Sequence, residues 1–240
     1  MTLFRISYFD IRVYFMNYHI EFDIDFKRNP YKGAYIALEG IDGSGKTTQV
    51  EKVFEHFHNA GREVIRTREP RRDHGIIGKL IQEILVGKAK VPSTAFQYLF
   101  TADRVMHFEE IIQPALAAGK IVLTDRCFWS AIPYGIMDRG GSYDENTAQY
   151  IMVAQSILSM YHQFTVPDYT FYLDIPLGEA MRRLDNSASQ REIYEDRAKL
   201  KKTIGGYNWL LKEFPKEFIL IDATKDVETV TEEIISGIKQ

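Results

Sequence analysis

Short apolar runs alternate along the chain with longer stretches in which apolar residues recur every three or four positions. An unbroken apolar run of four to eight residues is typical of a buried strand, and the longer spacing is typical of an amphipathic helix. Apolar runs predict strands at 35–39, 121–126, 169–175 and 218–221, and the shorter run of Val64 and Ile65 predicts a strand at 63–67. The periodic stretches predict helices up to Gly61, over 77–87, from about 92 to 107 or beyond, and over 146–163, 177–184, 191–214 and 226–238.

Strands that alternate with helices predict an α/β fold. We expect a doubly wound, five-stranded parallel sheet with helices on both faces and ligands at the carboxyl ends of the strands. Residues 33–240 are predicted to form one domain. Within it, Pro114 and Gly119 are predicted to end the third helical stretch, and the polar residues 185–190 have the composition of a mobile loop.

Residues 1–32 precede this pattern and are predicted to be an N-terminal β extension. Apolar and polar residues alternate strictly from Tyr18 to Phe26, and a second alternating run covers residues 9–15. A β-hairpin that turns near Met16 and Asn17 explains both runs. Three interpretations of the segment stay open: a dimer or partner surface, an extra edge hairpin, and a start codon annotated too early, with Met16 as the alternative start.

The sharpest local motif follows the first predicted strand. Residues 40–47 read G-I-D-G-S-G-K-T, which fits the phosphate-loop pattern G-x-x-x-x-G-K-[ST] at every fixed position. Its glycines let the backbone amides point inward, and the next helix presents its N-terminal N–H groups to the same anion. Lys46 can reach the β and γ phosphates, and the Thr47 hydroxyl can bind Mg²⁺. The motif therefore predicts that the chain binds a nucleoside triphosphate.

A charged pair, Asp125 and Arg126, ends the third predicted strand. An apolar strand that ends in Asp is the usual second half of a phosphate-loop site, where the carboxylate helps Thr47 to organise Mg²⁺. A guanidinium binds phosphate through two hydrogen bonds, so Arg126 is suited to contact a phosphoryl group during transfer. The alternative is a structural ion pair at the end of a strand.

Composition limits the classes of partner and the cellular compartment that we expect for the protein. The chain has 240 residues, 45% of them hydrophobic, and a formal net charge of −3, which gives no overall attraction to nucleic acid or to anionic membranes. No apolar run approaches the length of about 20 residues that spans a bilayer. The single cysteine, Cys127, excludes an internal disulfide and suits a reducing compartment. We therefore expect a cytoplasmic protein without nucleic-acid or membrane partners.

Five further motifs indicate which family of phosphate-loop proteins the chain resembles. These are T-R-E-P at 67–70, F-T-A-D-R at 100–104, Asp125-Arg126 followed by Ser130 and Tyr134, P-D at 167–168, and I-D-A at 221–223. With the phosphate loop they occur in the order and at the spacing of thymidylate kinase, a P-loop nucleoside monophosphate kinase, which residues 34–240 resemble. The resemblance implies a P-loop NTPase fold, transfer of the γ-phosphate of ATP to dTMP with Mg²⁺ to give dTDP and ADP, and a homodimer.

The resemblance also implies a set of site residues. Phe100 would stack on thymine and Arg104 would bind its O4, although core packing of Phe100 is the alternative. Tyr134 would lie near C2′ of the sugar. The implied ATP site comprises Gly40, Ile41, Asp42, Gly43, Ser44, Gly45, Lys46, Thr47 and Thr48; the implied metal ligands are Thr47 and Asp125; the implied catalytic residues are Lys46, Asp125, Arg126 and Arg191; and the implied dTMP site comprises Asp42, Arg68, Phe100, Arg104, Arg126, Ser130 and Tyr134.

The chain departs from the common bacterial pattern at several positions. Residues 70–74 read P-R-R-D-H where that pattern continues P-G-G-T, which leaves open which arginine contacts the substrate. Cys127 stands where Tyr is usual, and Ala131 stands where some members carry Asn or Ser. Because Gly43 replaces the arginine that some members carry in the phosphate loop, a lid near 185–197 is expected to supply one. Arg191 is the first candidate, with Arg197 and Arg183 behind it, and a solvated surface charge is the alternative for Arg191.

Two other functions remain open from the sequence. The chain could be a related P-loop kinase that acts on another nucleotide or deoxynucleotide, or on a deoxynucleoside, because residues 70–74 and Ala131 bear on specificity. It could also be a non-catalytic protein in which ATP binding switches the conformation that a partner recognises.

Overall fold

Five parallel strands form the sheet in the computed structural model, which describes residues 25–138, 156–161, 164–187 and 192–238. The strands are β1 Tyr35–Glu39, β2 Val64–Arg68, β3 Ile121–Asp125, β4 Tyr169–Asp174 and β5 Ile219–Asp222. Each predicted strand is confirmed to within one residue of its predicted ends. Their order is β2-β3-β1-β4-β5, so the chain winds outwards in both directions from the central strand β1.

Helices cover both faces of this sheet. In β3, the side chain of Val122 packs with Ile112 and Leu116 on one face, whereas its neighbours Ile121 and Leu123 join the larger core on the other. Because successive side chains of a strand point to opposite faces, both faces are buried, as the predicted α/β fold requires. The helices are α1 Lys46–Asn59, α2 Gly75–Leu85, α3 Ser93–His107, α4 Gln113–Ala117, α5 Ala131–Asp138, α6 Leu177–Asp185, α7 Arg197–Glu213 and α8 Val227–Gly237.

Three sequence predictions can be judged only in part. Of the predicted helix over 146–163, residues 156–161 are described and are helical. Of the predicted N-terminal hairpin, only the end of the second strand, residues 25 and 26, is described, and residues 188–191 of the expected lid also lie outside the described ranges. Within those ranges, none of the helices combines the length and the apolar character needed to cross a bilayer.

The prediction that Pro114 ends a helix is wrong. The helical chain runs on from α3 through a π-helical turn, Phe108–Ile112, into α4, and Pro114 lies at the start of α4. The amide of Gln113 bonds to the carbonyl of Phe108, five residues back. This wider turn lies directly before the proline, which has no N–H of its own to donate. Gly119, in contrast, does follow the end of the helix, with a positive φ of 81°.

Residues 25–32 pack on the domain. The Phe26 ring contacts Trp129 and Phe214 at centroid distances of 5.3 and 5.8 Å. Lys27 forms a parallel bridge with Thr165. Arg28 donates to both carboxylate oxygens of Glu217, at 2.6 and 2.8 Å. This part of the predicted extension therefore lies against the body of the fold.

Helix α7 begins later than predicted, at Arg197 instead of residue 191. The Asp196 carboxylate accepts hydrogen bonds from the amides of Ala198 and Lys199, at 2.9 and 3.0 Å, and so caps the helix. An aspartate at this position is a strong start signal because it satisfies N–H groups that have no partner inside the helix. The capping aspartate therefore marks the start of α7, which the apolar periodicity alone did not locate.

Removing this cap should destabilise the protein without altering its sites. We expect Asp196→Ala to lower the free energy of unfolding by about 1 kcal/mol, as measured by urea denaturation. Asp196→Asn keeps an acceptor oxygen in the same position and should stay close to the wild type. Equal losses in the two variants would contradict the capping role.

Candidate active site

The phosphate loop leaves the carboxyl end of β1 and enters α1. Gly40, Gly43 and Gly45 all have positive φ, at 145°, 83° and 95°, a backbone region that favours glycine. A Cβ atom at Gly43 would lie 2.7 Å from the carbonyl oxygen of Ala180, so the loop fits closely against α6. The local sequence therefore dictates the curled backbone that points amides towards an anion.

Lys46, the first residue of α1, lies folded over this loop. Its Nζ donates to the carbonyl of Ile41 at 2.8 Å. Burial lowers the pKa of Lys46 to about 8, and repulsion from Arg126 acts in the same direction, against the attraction of Asp125 and Asp42. A bound polyanion would restore the positive charge, so this lysine is poised for one.

An open cleft of about 1110 Å³ lies in front of the loop, and we call it the loop cleft. At its edge the Thr47 hydroxyl donates to the Asp125 carboxylate at 2.7 Å. Arg68 of β2 is paired in register with Asp125 of β3, so their side chains flank the same cleft. The cleft is lined by residues of the loop, the strand ends and α6, including Asp42, Gly45, Lys46, Thr47, Thr48, Arg68, Arg72, Asp125, Arg126 and Arg183.

Arg126 adopts a backbone conformation that is uncommon for a residue with a side chain, with φ of 72°. Its amide donates to the carbonyl of Leu38 at 2.9 Å, and its own carbonyl accepts from the Thr124 hydroxyl at 2.8 Å. These bonds hold the turn, which aims the guanidinium back over the loop. There it donates to the carbonyl of Gly40 at 2.8 Å and to the Asp42 carboxylate at 2.6 Å.

Tyr134 of α5 joins the same group. Its hydroxyl accepts from Arg126 at 2.9 Å and donates to Asp42 at 2.9 Å. Burial alone would raise the pKa of Asp42, but the charges of Arg126 and Lys46 lower it to about 2. Asp42 is therefore a carboxylate at any physiological pH, and it neutralises the arginine while no anion is bound.

Two further residues complete this network, and the sequence assigned no role to either. Glu39, at the end of β1, is fully buried and accepts from the hydroxyls of Ser130 and Tyr207, both at 2.7 Å, and from the amide of Cys127 at 2.9 Å. Tyr207 of α7 also accepts from Arg126 at 3.1 Å. Glu39 is visible in the sequence as an acidic residue that ends an apolar strand, whereas the place of Tyr207 depends on how α7 packs.

A second, smaller cleft lies beyond Arg126, and we call it the aromatic cleft. Phe100 and Arg104 of α3 are one turn apart on its wall. Arg104 donates through Nε to Glu69 at 2.6 Å and through Nη1 to the Tyr161 hydroxyl at 2.7 Å. The other residues that line the aromatic cleft are Asp42, Pro70, Arg72, Leu85, Gln97, Arg126, Ser130, Ala131, Tyr134, Glu192 and Tyr194. Arg126, Asp42, Arg72 and Glu192 line both clefts, so the two clefts meet at these side chains.

Phe100 satisfies both interpretations that the sequence left open. Its ring packs on Phe96 with a centroid distance of 4.3 Å and belongs to the main core, yet it also lines the aromatic cleft. The residue is only 8% exposed. A flat ligand in the cleft would therefore meet a ring that the core already holds in place.

The structure separates the arginines around residues 68–72. Arg71 is buried and bound to Asp103 and Glu110, at 3.1 and 2.7 Å, so it holds the loop against α3. Arg72 is paired with Glu192. Arg68 makes no hydrogen bond to any described residue and faces the loop cleft. Of the three, Arg68 is the one with a guanidinium available for a ligand.

The structure treats the three candidate lid arginines differently: it describes the positions of Arg183 and Arg197 but not that of Arg191. Arg191 lies outside the described residues, so its role stays a prediction. Arg183 of α6 donates to the carbonyl of Ala223 at 2.8 Å and lies beside the loop near Gly45. Arg197 is exposed at the start of α7. Of the other predicted site residues, all but Gly40, Ile41 and Ser44 of the phosphate loop line at least one of the two clefts.

Comparison with known proteins agrees with this geometry. The family model for thymidylate kinase matches residues 38–234, which include the loop, both clefts and all five motif regions. The chain belongs to the thymidylate kinase family. A probable thymidylate kinase of Thermococcus kodakarensis is 36% identical in an alignment of 216 positions that covers 85% of this chain and 97% of that protein. The thymidylate kinase of Sulfurihydrogenibium sp. strain YO3AOP1 is 33% identical over 210 residues, 87% of this chain and 98% of that protein.

The lowered pKa of Lys46 makes a testable prediction. At pH 8, close to that pKa, binding of ATP should draw about half a proton onto the enzyme, because the phosphates favour the charged lysine. At pH 7, where Lys46 already carries its proton, the uptake should be close to zero. Isothermal titration calorimetry in two buffers of different ionisation enthalpy measures the number directly. Equal uptake at the two pH values would contradict the assignment to Lys46.

Proposed function

We propose that this protein transfers the γ-phosphate of ATP to dTMP and releases dTDP and ADP. The observation that carries the proposal is the position of Arg126, whose guanidinium lies where the loop cleft and the aromatic cleft meet. A kinase for a substrate that already bears a phosphate needs a cation at this point, since two anions must approach each other there. Membership of the thymidylate kinase family supports dTMP as that substrate.

The loop cleft would hold ATP. The amides of residues 40–48 and the Lys46 ammonium would bind the β and γ phosphates, and Arg183 would lie on the nucleoside side, near Gly45 and Ala223. The bond between the γ-phosphorus and the bridging oxygen breaks as an oxygen of the dTMP phosphate attacks. Arg126 would stabilise the charge spread over the γ-phosphoryl oxygens, and Arg191 from the lid is proposed to do the same.

Mg²⁺ fits the oxygen donors at the edge of the loop cleft. Thr47 and Asp125 offer a hydroxyl and a carboxylate, the hard ligands that this ion prefers. Among the described residues no group of three or more His, Cys, Asp or Glu side chains could hold a metal alone, so phosphate oxygens and water would complete the coordination. When bound, the ion neutralises charge on the phosphate oxygens.

The aromatic cleft would hold the thymidine part of dTMP. Phe100 would stack on the base, and Arg104, whose hydrogen bonds to the described residues use Nε and Nη1, would offer Nη2 to O4. Tyr134 would lie against C2′ of the sugar and disfavour ribose. Ser130 and Asp42 would line the sugar side, and Arg68 would reach the acceptor phosphate.

We also propose that the protein is a cytoplasmic homodimer. The proposal rests on the resemblance to the family. Two exposed apolar side chains, Ile76 of α2 and Tyr98 of α3, support an interface on these neighbouring helices, and the buried free thiol of Cys127 suits a reducing compartment.

A coupled assay of ADP release tests the proposed function. ATP and Mg²⁺ are supplied with dTMP, dUMP, dCMP, dGMP, AMP or thymidine, each in turn. We expect the highest kcat/KM with dTMP. Preference for another acceptor would contradict the assigned substrate, and ADP release that no acceptor stimulates would favour a conformational switch.

Loss of the guanidinium at position 126 should affect catalysis more than ATP binding. We expect Arg126→Ala to lower kcat by at least about 100-fold, because an arginine that stabilises the transferred phosphoryl group is worth that much or more. The Kd for ATP should change far less. The exposed Arg28, paired with Glu217 outside both clefts, provides the control variant Arg28→Ala. A near-normal kcat in Arg126→Ala would rule out the assigned role.

A further inference from the structure

Gln97 is a buried polar residue that the proposed reaction does not yet use. It lies on α3, one turn before Phe100, is 1% exposed and lines the aromatic cleft. Neither its amide oxygen nor its amide nitrogen makes a hydrogen bond to the described residues. The amide lies near the Asp138 carboxylate but makes no hydrogen bond of normal geometry to it, and it lines the cleft proposed to hold the base.

An amide in this state costs stability. Burial without a hydrogen bond removes the amide from water and returns nothing, so buried polar groups in native proteins nearly always have a partner. A glutamine kept here against that cost indicates a partner that arrives with a ligand. A leucine or methionine would occupy a similar volume without this cost.

The surroundings hold the amide in one place. A Cβ atom at Gly135 of α5 would lie 3.2 Å from Gln97 Cδ and 3.4 Å from Nε2, so the bare glycine makes room for the amide. Burial raises the pKa of the Asp138 carboxyl. The Tyr194 hydroxyl, which donates to Asp138 at 2.7 Å, opposes this rise, and the nearby Gln97 amide opposes it to a smaller extent. No hydrogen bond of normal geometry joins Gln97 to Asp138.

Arg104 and Ala131 leave part of a pyrimidine base without a hydrogen-bond partner. Arg104 carries only donors, which suits the O4 acceptor. The side chain of Ala131, which also lines the cleft, offers no polar atom. Thymine also presents an N3–H donor beside its O2 acceptor, and this edge needs an acceptor and a donor side by side. The amide of a glutamine carries that pair in one plane.

We propose that Gln97 recognises the N3–H and O2 edge of the acceptor base, with Oε1 accepting from N3–H and Nε2 donating to O2. The proposal deepens the proposed function and rests on it. It makes Gln97 a specificity residue against cytosine, whose N3 is an acceptor. With cytosine, Gln97 Oε1 would face a lone pair instead of a proton.

Removal of the hydrogen bond from each side tests the proposal. KM is measured for dTMP and for 3-methyl-dTMP, which lacks the N3 proton, with the wild type, Gln97→Met and Gln97→Leu. We expect 3-methylation to raise the wild-type KM roughly tenfold or more, because it leaves Oε1 without its donor. Gln97→Met should raise the KM for dTMP by a similar factor, and 3-methylation should then have little further effect. The KM for ATP should not change.

Gln82 of α2 supplies a matched control. Its Oε1 is also buried without a partner, but the residue lines neither cleft. Gln82→Met removes a buried amide oxygen that has no partner, so it should not lower Tm. Only Gln97→Met should raise the KM for dTMP.

The possible outcomes separate the two proposals. If the wild type phosphorylates dTMP and 3-methyl-dTMP with equal KM, or if 3-methylation costs the Gln97 variants as much as the wild type, recognition by Gln97 is wrong and the proposed function stands. If the wild type is inactive with dTMP, the proposed function is wrong, and so is the inference about Gln97, which rests on it. The measurement on the wild type decides even if both Gln97 variants fail to fold.

Discussion

The fully buried carboxylate of Glu39 is the constraint on which the site depends. A carboxylate removed from water is very costly unless donors surround it. Here the donors are the Cys127 amide and the hydroxyls of Ser130 and Tyr207, which come from the segment after β3 and from α7. The requirement to satisfy one charge therefore ties the central strand to these segments and positions the hydroxyls beside Arg126.

Arg126 is held by this arrangement from two sides. Its backbone turns through a left-handed conformation, and its guanidinium meets Gly40, Asp42 and Tyr134 on the cleft side and Ser130 and Tyr207 on the core side. Strained backbone of this kind persists only where surrounding contacts determine it, and it often marks a functional site. The result is a preorganised cation at the meeting point of the two clefts, and preorganisation is the main contribution that a protein makes to phosphoryl transfer.

Local signals made most of the fold predictable, and long-range contacts explain what was missed. Short apolar runs predicted each strand to within one residue of its ends, although the run at Val64 and Ile65 is only two residues long, and glycine spacing predicted the phosphate loop. Helix α5 and the place of Tyr207 were not predicted, because α5 is apolar on nearly every side and Tyr207 lies 81 positions from the arginine it contacts. The role of Arg71 in holding the loop also became clear only from its contacts with Asp103 and Glu110 on the α3 side. No role for Gln97 was predicted, because hydrophobic periodicity locates only apolar residues. A single glutamine beside Phe96 indicates nothing about function until its burial is known.

A crystal structure with adenosine and thymidine joined by a chain of five phosphates would test the central claim most directly. This compound carries the nucleosides of both proposed substrates in one molecule. The account predicts that adenosine lies at the loop cleft and thymidine in the aromatic cleft, and that the Arg126 guanidinium contacts the phosphates between them while Glu39 keeps its three donors. A phosphate chain that bypasses Arg126, with the guanidinium still paired to Asp42 and Tyr134, would contradict it.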